Sequence, residues 1–373
     1  MITFMSDLKV PYESLALVNK SMLPEMTIAF NRVASKGWYI LGSEVLDFEK
    51  DFANYLGVKY SIGVASGLDA LILALKSLQL PLGSEVIVPS NTYIATILAI
   101  LNEGLKPVLV EPDIKTYNID PIKIVSAITP KTKAIMVVHL YGKSCEMDKI
   151  VEIAAKHGLP IIEDCAQSHG AKFRNQLTGS FGLGAFSFYP TKNLGALGDG
   201  GAVVTSDPDV RDKIQMLRNY GSRLKYYNEI IGTNSRLDEL QAAFLNIKLK
   251  SLDQINYHKR ELAQIYFDEL LSESEIVLPF VSDETYDVYH IFNIRTNRRD
   301  SLRAYLLKKG IGTEVHYPVS PHRQRALIGL FDESSFPISD EIHATTLSLP
   351  ISFAHSRENI LFVAKTVKEF FKE

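Results

Sequence analysis

The sequence predicts an α/β fold: a large, mostly parallel sheet of seven strands, followed by a smaller α+β unit. Short apolar runs rich in β-branched residues recur as far as Thr205, helix-period segments separate most of them, and the pattern changes after residue 250. The runs cover residues 59–65, 85–89, 107–111, 133–139, 160–164, 185–188 and 201–205. Each is nearly continuous in apolar residues instead of alternating with polar ones, as expected of strands covered on both faces. Helical periodicity fills 68–78, 121–127 and 149–157 between them. Beyond residue 250 a long helix is expected over 253–271, then a strand over 291–296 and a helix over 299–309. The expected division is a large α/β domain at 1–250, including the N-terminal segment, and a smaller α+β domain at 251–373. Neither a low-complexity linker nor an internal repeat interrupts the chain.

Ligands of such sheets gather at the carboxyl ends of the strands, and Ser66, Asn91, Asp164 and Lys192 all fall there. The run at 160–164 leads into Glu163-Asp164-Cys165-Ala166-Gln167-Ser168-His169, so Asp164 is expected to be buried. A buried carboxylate without a partner is costly or takes up a proton. Its partner is a cationic ring nitrogen, or else Asp164 caps the next helix. Further along, Ser187-Phe188-Tyr189-Pro190-Thr191-Lys192-Asn193-Leu194-Gly195 sets a lysine on a tight turn between two apolar strands. Most lysines are solvated, but one enclosed in such a turn has a lowered pKa and a nucleophilic amine. An amine able to bond an aldehyde, with a carboxylate held against a pyridine nitrogen, is the pairing that pyridoxal 5'-phosphate requires.

The candidate phosphate cradle is Val64-Ala65-Ser66-Gly67-Leu68-Asp69, where a strand ends in small residues and a helix begins. Amides at a helix N-terminus attract anions, and Gly67 permits close backbone approach. By itself Ser66 reads equally as a plain N-cap. Ser187 offers a hydroxyl to the same phosphate. Tyr93 follows another strand end, and stacks on a planar cofactor or packs in the core.

At 373 residues, with 46% hydrophobic and 22% charged side chains, the chain has ample material for a large core. A formal net charge of −3 offers no basic field for nucleic acid or an anionic membrane, so neither is an expected partner. The longest apolar run, at 94–101, is too short to span a bilayer. The N-terminus lacks the pattern of a signal peptide. Cys145 and Cys165 are the only cysteines, which fits a reducing cytoplasm. His139, His157, His258, His290 and His355 match no metal-site spacing and are read as structural, with no metal expected.

Seven ordered blocks carry a resemblance to a known family: 37–42, 66–71, 89–96, 163–170, 186–193, 198–201 and 234–241. Over nearly its whole length the chain resembles the DegT/DnrJ/EryC1/StrS sugar aminotransferases, pyridoxal-phosphate enzymes of transferase fold type I, the aspartate aminotransferase architecture. The resemblance implies that Lys192 carries the cofactor and acts as catalytic acid and base, that Asp164 faces the pyridine nitrogen, and that Gln167 lies near the ring hydroxyl. It implies phosphate contacts from Gly67, Leu68 and Ser187, and from Asn234 of a neighbouring subunit, hence a homodimer with shared sites. Asn234 also reads as the N-cap of the helix that follows.

Within the family, the likeness extends through His316-Tyr317 to enzymes acting on dTDP-linked 3-keto-6-deoxyhexoses, galacto or gluco, with L-glutamate as amino donor and 2-oxoglutarate as co-product. It implies sugar-nucleotide contacts from Tyr39, Tyr189, Tyr226, His316 and Tyr317, and from Lys225, which reaches the diphosphate from the partner subunit. Lys225-Tyr226-Tyr227-Asn228 departs from the family pattern, which has a histidine near the second tyrosine. Alternatives are amination at C4 of a UDP- or dTDP-4-keto sugar, and a non-catalytic sensing relative, which would be expected to lack Lys192, Asp164 or Gln167.

Overall fold

The computed structural model describes residues 8–331 and 336–372. Its main sheet has seven strands, numbered in chain order: β1 (Tyr60–Val64), β2 (Glu85–Pro89), β3 (Lys106–Val110), β4 (Thr132–Val138), β5 (Ile161–Asp164), β6 (Leu183–Ser187) and β7 (Gly201–Thr205). They lie in the order β1-β7-β6-β5-β4-β2-β3. The pairs from β6 through β3 are parallel, whereas β7 runs antiparallel to both β6 and β1. β6 and β7 are joined by the turn bearing Lys192 with no crossover helix, the usual link between parallel strands, and the chain folds straight back on itself.

The side chains explain why the strands read as continuous apolar runs. In β4, Ala134 and Met136 join one cluster with Leu71, Ile97 and Ile100, while Ile135 and Val137 join another with Ile124 and Ile150. In β7, Val203 goes to the first cluster, and Ala202 and Val204 to a third around Phe48, Phe52 and Phe188. Both faces are covered, so successive residues must both be apolar.

Sequence-derived bounds agree with the observed ones to within two residues. The helix expected at 253–271 is Leu252–Leu270, and the strand at 291–296 is Phe292–Arg295. That strand pairs antiparallel with Thr346–Leu349. Around them Leu262, Tyr266, Phe292, Ile294, Leu347 and Val363 form a separate cluster, which also takes in Val10. Val10 is held there by its own N–H to the Gly310 carbonyl (3.1 Å) and by the Gly312 N–H to its carbonyl (2.9 Å). No helix of the described residues is long and apolar enough to cross a membrane.

Candidate active site

The carboxyl ends of β1, β5 and β6 and the start of the turn after β6 meet at one place. Ser66 caps the helix Gly67–Ser77, its hydroxyl accepting from the Asp69 N–H at 3.1 Å. The first amides of that helix, Gly67 and Leu68, have no carbonyl behind them within the helix. A Cβ on Gly67 would lie 2.4 Å from Ser187 Cβ and 3.0 Å from Ser187 Oγ. Glycine is therefore what lets the end of β6 reach the helix N-terminus, and an anion there meets amides, a helix dipole and a hydroxyl together.

Asp164, the last residue of β5, is 6% exposed. Thr96 Oγ1 donates to its Oδ2 (2.8 Å) and the Ala166 N–H to its Oδ1 (3.1 Å). No α-helix starts there, so the helix-cap reading falls. Burial raises its pKa despite these donors. Below it, Glu163 is fully buried and accepts from the Gly179, Phe181 and Gly182 amides, each at 2.8 Å. The same carboxylate faces His139 Nε2 at 2.9 Å, and the His139 N–H donates to the Asp164 carbonyl at 3.1 Å. Although His139, Glu163 and Cys165 bring ligand-type atoms together, the Glu163 oxygens are already engaged by these amides.

Lys192 is not a surface lysine. It is enclosed on the turn between β6 and β7, and burial lowers its pKa to about 8, opposed by the Asp164 charge. The turn is tied by the Lys192 N–H to the Tyr189 carbonyl (2.9 Å) and by the Ala196 N–H to the Phe188 carbonyl (2.8 Å). The sequence reading set His290 aside as structural, yet its Nε2 lies 3.5 Å from Lys192 Nζ. Nothing local in the sequence marks it, because it arrives from the C-terminal unit. Lys259 was also missed: it is buried with a pKa lowered to about 8, and its Nζ donates to Asn193 Oδ1 (2.9 Å) and to the His290 carbonyl (3.1 Å).

Gln167 is fixed at both ends of its amide. The Tyr141 N–H donates to its Oε1 (2.7 Å), and its Nε2 donates to the Tyr317 hydroxyl (2.9 Å). Tyr93 precedes the helix Ile94–Asn102, half-exposed, with its ring centroid 5.1 Å from that of Tyr317. His316 Nδ1 lies 2.9 Å from Ser348 Oγ, and burial with the Lys192 charge lowers its pKa to about 4. Its carbonyl accepts from the Tyr141 hydroxyl. Tyr189 is exposed beside the Lys192 turn.

The remaining expected residues lie outside this cluster within one chain. Tyr39 is exposed and its carbonyl accepts from the Glu239 N–H at 3.1 Å. Lys225 and Tyr226 sit on an exposed hairpin, the ammonium 5.0 Å from the ring centroid, with Tyr226 83% exposed. Asn234 is not an N-cap: the helix that follows is Glu239–Leu249 with Asp238 before it. The Asn234 side chain is exposed, while its neighbour Ser235 accepts from the Ala65 N–H (3.1 Å) and donates to Asp69 Oδ2 (2.8 Å).

The cluster fits pyridoxal phosphate by its donor set. There is an anion cradle that a Cβ would fill, a half-buried amine whose pKa is lowered by desolvation, and a buried carboxylate that has two donors but no hydrogen-bonded cation.

Comparison with known proteins agrees. The model of the DegT/DnrJ/EryC1/StrS aminotransferase family matches residues 21–368. The dTDP-3-amino-3,6-dideoxy-alpha-D-galactopyranose transaminase of Aneurinibacillus thermoaerophilus is 52% identical, over 97% of this chain and 99% of its own. Streptomyces venezuelae DesV, solved in complex with a ketimine intermediate, is 46% identical with a TM-score of 0.96, covering 98% of this chain and 99% of its own. NtdA of Bacillus subtilis, solved with bound cofactor PMP, is 31% identical with a TM-score of 0.91, covering 98% of this chain and 86% of its own. The chain belongs to the DegT/DnrJ/EryC1/StrS aminotransferase family, on the type I fold of pyridoxal-phosphate-dependent transferases that its sequence predicts.

Proposed function

We propose that this protein transfers the amino group of L-glutamate to C3 of a dTDP-linked 3-keto-6-deoxyhexose, giving a dTDP-3-amino-3,6-dideoxyhexose. The observation that carries the chemistry is the placement of the Lys192 amine on the turn that leaves β6, at the strand ends that also bear the buried Asp164 carboxylate and the close approach of Gly67 to Ser187. Likeness to the A. thermoaerophilus enzyme supports the C3 position, the thymidine nucleotide and the galacto sugar.

The Gly67 and Leu68 amides and the Ser187 hydroxyl would hold the cofactor phosphate, Asp164 would pair with the ring nitrogen, and Gln167 and Tyr93 would contact the ring. Bound pyridoxal phosphate supplies an electron-withdrawing ring that stabilises negative charge at the carbon losing a proton. Lys192 Nζ does the proton work in both halves. Its neutral form accepts the proton from the donor's Cα, and its charged form delivers one to the sugar carbon that receives the amine. A base with a pKa near the working pH is suited to both tasks. Tyr189, His316 and Tyr317 line the sugar-nucleotide side of the cluster, Lys225 of a second copy reaches the diphosphate, and Tyr39 and Tyr226, outside the one-chain cluster, contact the same substrate in the assembled dimer.

The working unit in this reading is a homodimer in the cytoplasm. Leu23, Ile28, Phe30, Trp38, Ile40 and Leu46 are exposed, an apolar load that supports burial against a second copy. Both cysteines are free and buried, in keeping with a reducing compartment. The chain is read as two domains, 1–250 and 251–373, with residues 8–12 docked on the second.

The test is a single turnover. Protein converted to its amino form with L-glutamate and freed of excess is mixed separately with the galacto and gluco dTDP-3-keto-6-deoxyhexoses and with a 4-keto sugar nucleotide, and the absorbance of the aldehyde form is followed. Its return carries the reading and tells galacto from gluco. Return only with a 4-keto sugar moves the amination to C4, and absence of any cofactor band after adding pyridoxal phosphate overturns the role of Lys192.

A further inference from the structure

His290 stands at the entry to the strand Phe292–Arg295, outside every role assigned above. Its Nε2 is 3.5 Å from Lys192 Nζ, and its Nδ1 is buried without a partner. Lys192, Lys259, His316 and His169 are the titratable groups around the ring. The main chain on either side is clamped to the Lys192 turn. The His290 carbonyl accepts from Lys259 Nζ (3.1 Å), and the Val288 carbonyl accepts from Asn193 Nδ2 (3.0 Å). Lys259 Nζ also donates to Asn193 Oδ1 (2.9 Å), and Asn256 Oδ1 accepts from Asn193 Nδ2 (2.8 Å). Lys259 Nζ thus bridges the neighbour of the reactive lysine and the His290 main chain, and the Asn193–Val288 bond ties the same segment to the turn.

Burial, with lysines on two sides, keeps the imidazole neutral, its pKa well below the ordinary histidine range. A neutral imidazole has one N–H and one lone pair, whereas an ammonium has only donors. Whenever Lys192 carries its proton, the role open to Nε2 is therefore that of acceptor.

We propose that His290 is the positioning partner of Lys192: its Nε2 accepts a hydrogen bond from the amine and holds Nζ in one place in both its charged and its neutral form. The proton itself stays on Lys192, because a second positive charge on His290 would be buried among two lysines. His290 orients the base without competing for what the base carries. This rests on the reading of Lys192 as the reactive amine.

Two measurements on the full chain test it. In the cofactor-free protein, acetylation by acetic anhydride at graded pH, read by mass spectrometry on the peptide containing Lys192, gives the pH at which the amine is half protonated. His290→Phe removes the acceptor, so the charged form loses a partner and that pH falls by about one unit. His290→Gln, which places an amide close to the position of Nε2, restores most of it. In the loaded enzyme His290→Phe lowers kcat by about tenfold or more with little change in KM for the keto sugar. A midpoint and kcat unchanged in His290→Phe overturn the proposal, as does an equal loss of kcat in both variants with no shift of midpoint, which is the mark of packing alone. Lys192→Ala measured in parallel separates the two readings: turnover retained there sinks the amine assignment itself, whatever His290 does.

Discussion

At the scale of single residues, the site trades stability for chemistry. Asp164 is buried with its pKa raised by desolvation, so in the cofactor-free protein its charge opposes folding. A carboxyl whose folded pKa lies above its unfolded one binds more protons in the native state, and its contribution to stability declines as pH rises through that window. Asp164→Asn keeps the shape and an acceptor for Thr96 while removing the charge. We expect the cofactor-free variant to melt above the wild type at pH 7 while the loaded variant loses about a hundredfold or more in turnover. Thermal melts and single-turnover rates check the two halves separately, and a lower melt would show that the charge is compensated. Gly67 is the steric counterpart. Because a Cβ there would meet Ser187 Cβ at 2.4 Å and its backbone Cα at 3.0 Å, Gly67→Ala must push β6 from the helix N-terminus. Pyridoxal phosphate affinity should fall about tenfold or more in a fluorescence titration. Phosphate-free pyridoxal should lose little, since only the anion uses that cradle.

At the scale of elements, the sequence displays what is local and hides what is not. The sheet strands were legible because burial on both faces forces continuous apolar runs, and the long helix Leu252–Leu270 was legible from its periodicity. The helix Ser43–Leu56 was not read, and its N-terminus shows why. Gly42, before its first turn, offers no side-chain cap. The cap comes from far along the chain: Glu239 accepts from the amides of Gly42 (2.8 Å), Glu44 (3.0 Å) and Val45 (3.0 Å). A helix capped across that separation leaves no mark near its own start. The reversal of β7 was open to inference from its short connection, and the strand Thr346–Leu349 became visible only through its partner Phe292–Arg295. In the candidate site, the apolar flanks of Lys192 and Asp164 predicted their enclosure, whereas His290 and Lys259 carry no local signature because the C-terminal unit brings them in. Glu239→Gln tests the distant cap. It replaces one carboxylate oxygen with an amide NH2 that faces N–H groups, so unfolding in urea should come at a lower concentration, with a loss of about 1–3 kcal/mol in stability. Recovery of that loss in Glu239→Asp would show that charge and not reach sets the effect.

At the scale of the whole molecule, the site closes where the C-terminal unit meets the ends of the sheet strands. Gln167 with Tyr317, Tyr141 with His316, Lys259 with the His290 carbonyl, and Asn256 with the His169 carbonyl (2.9 Å) join the two across it. One chain nevertheless leaves Asn234, Lys225 and Tyr226 exposed, together with the apolar residues between Leu23 and Leu46. A two-fold dimer accounts for both, provided that Asn234 serves the cradle of the other copy. Mixed dimers decide whether it does. Lys192→Ala and Asn234→Ala chains are unfolded together, refolded as a mixture, and assayed at a pyridoxal phosphate level that leaves the Asn234→Ala homodimer mostly empty. If Asn234 acts across the interface, each mixed dimer has one site with an intact lysine and an intact asparagine, and the mixture should recover about a quarter of wild-type activity from two poorly active parents. If Asn234 serves its own chain, every site in the mixed dimer carries one defect and activity stays at the mean of the parents. That outcome would return Asn234 to the side of Ser235, beside the cradle of the same chain.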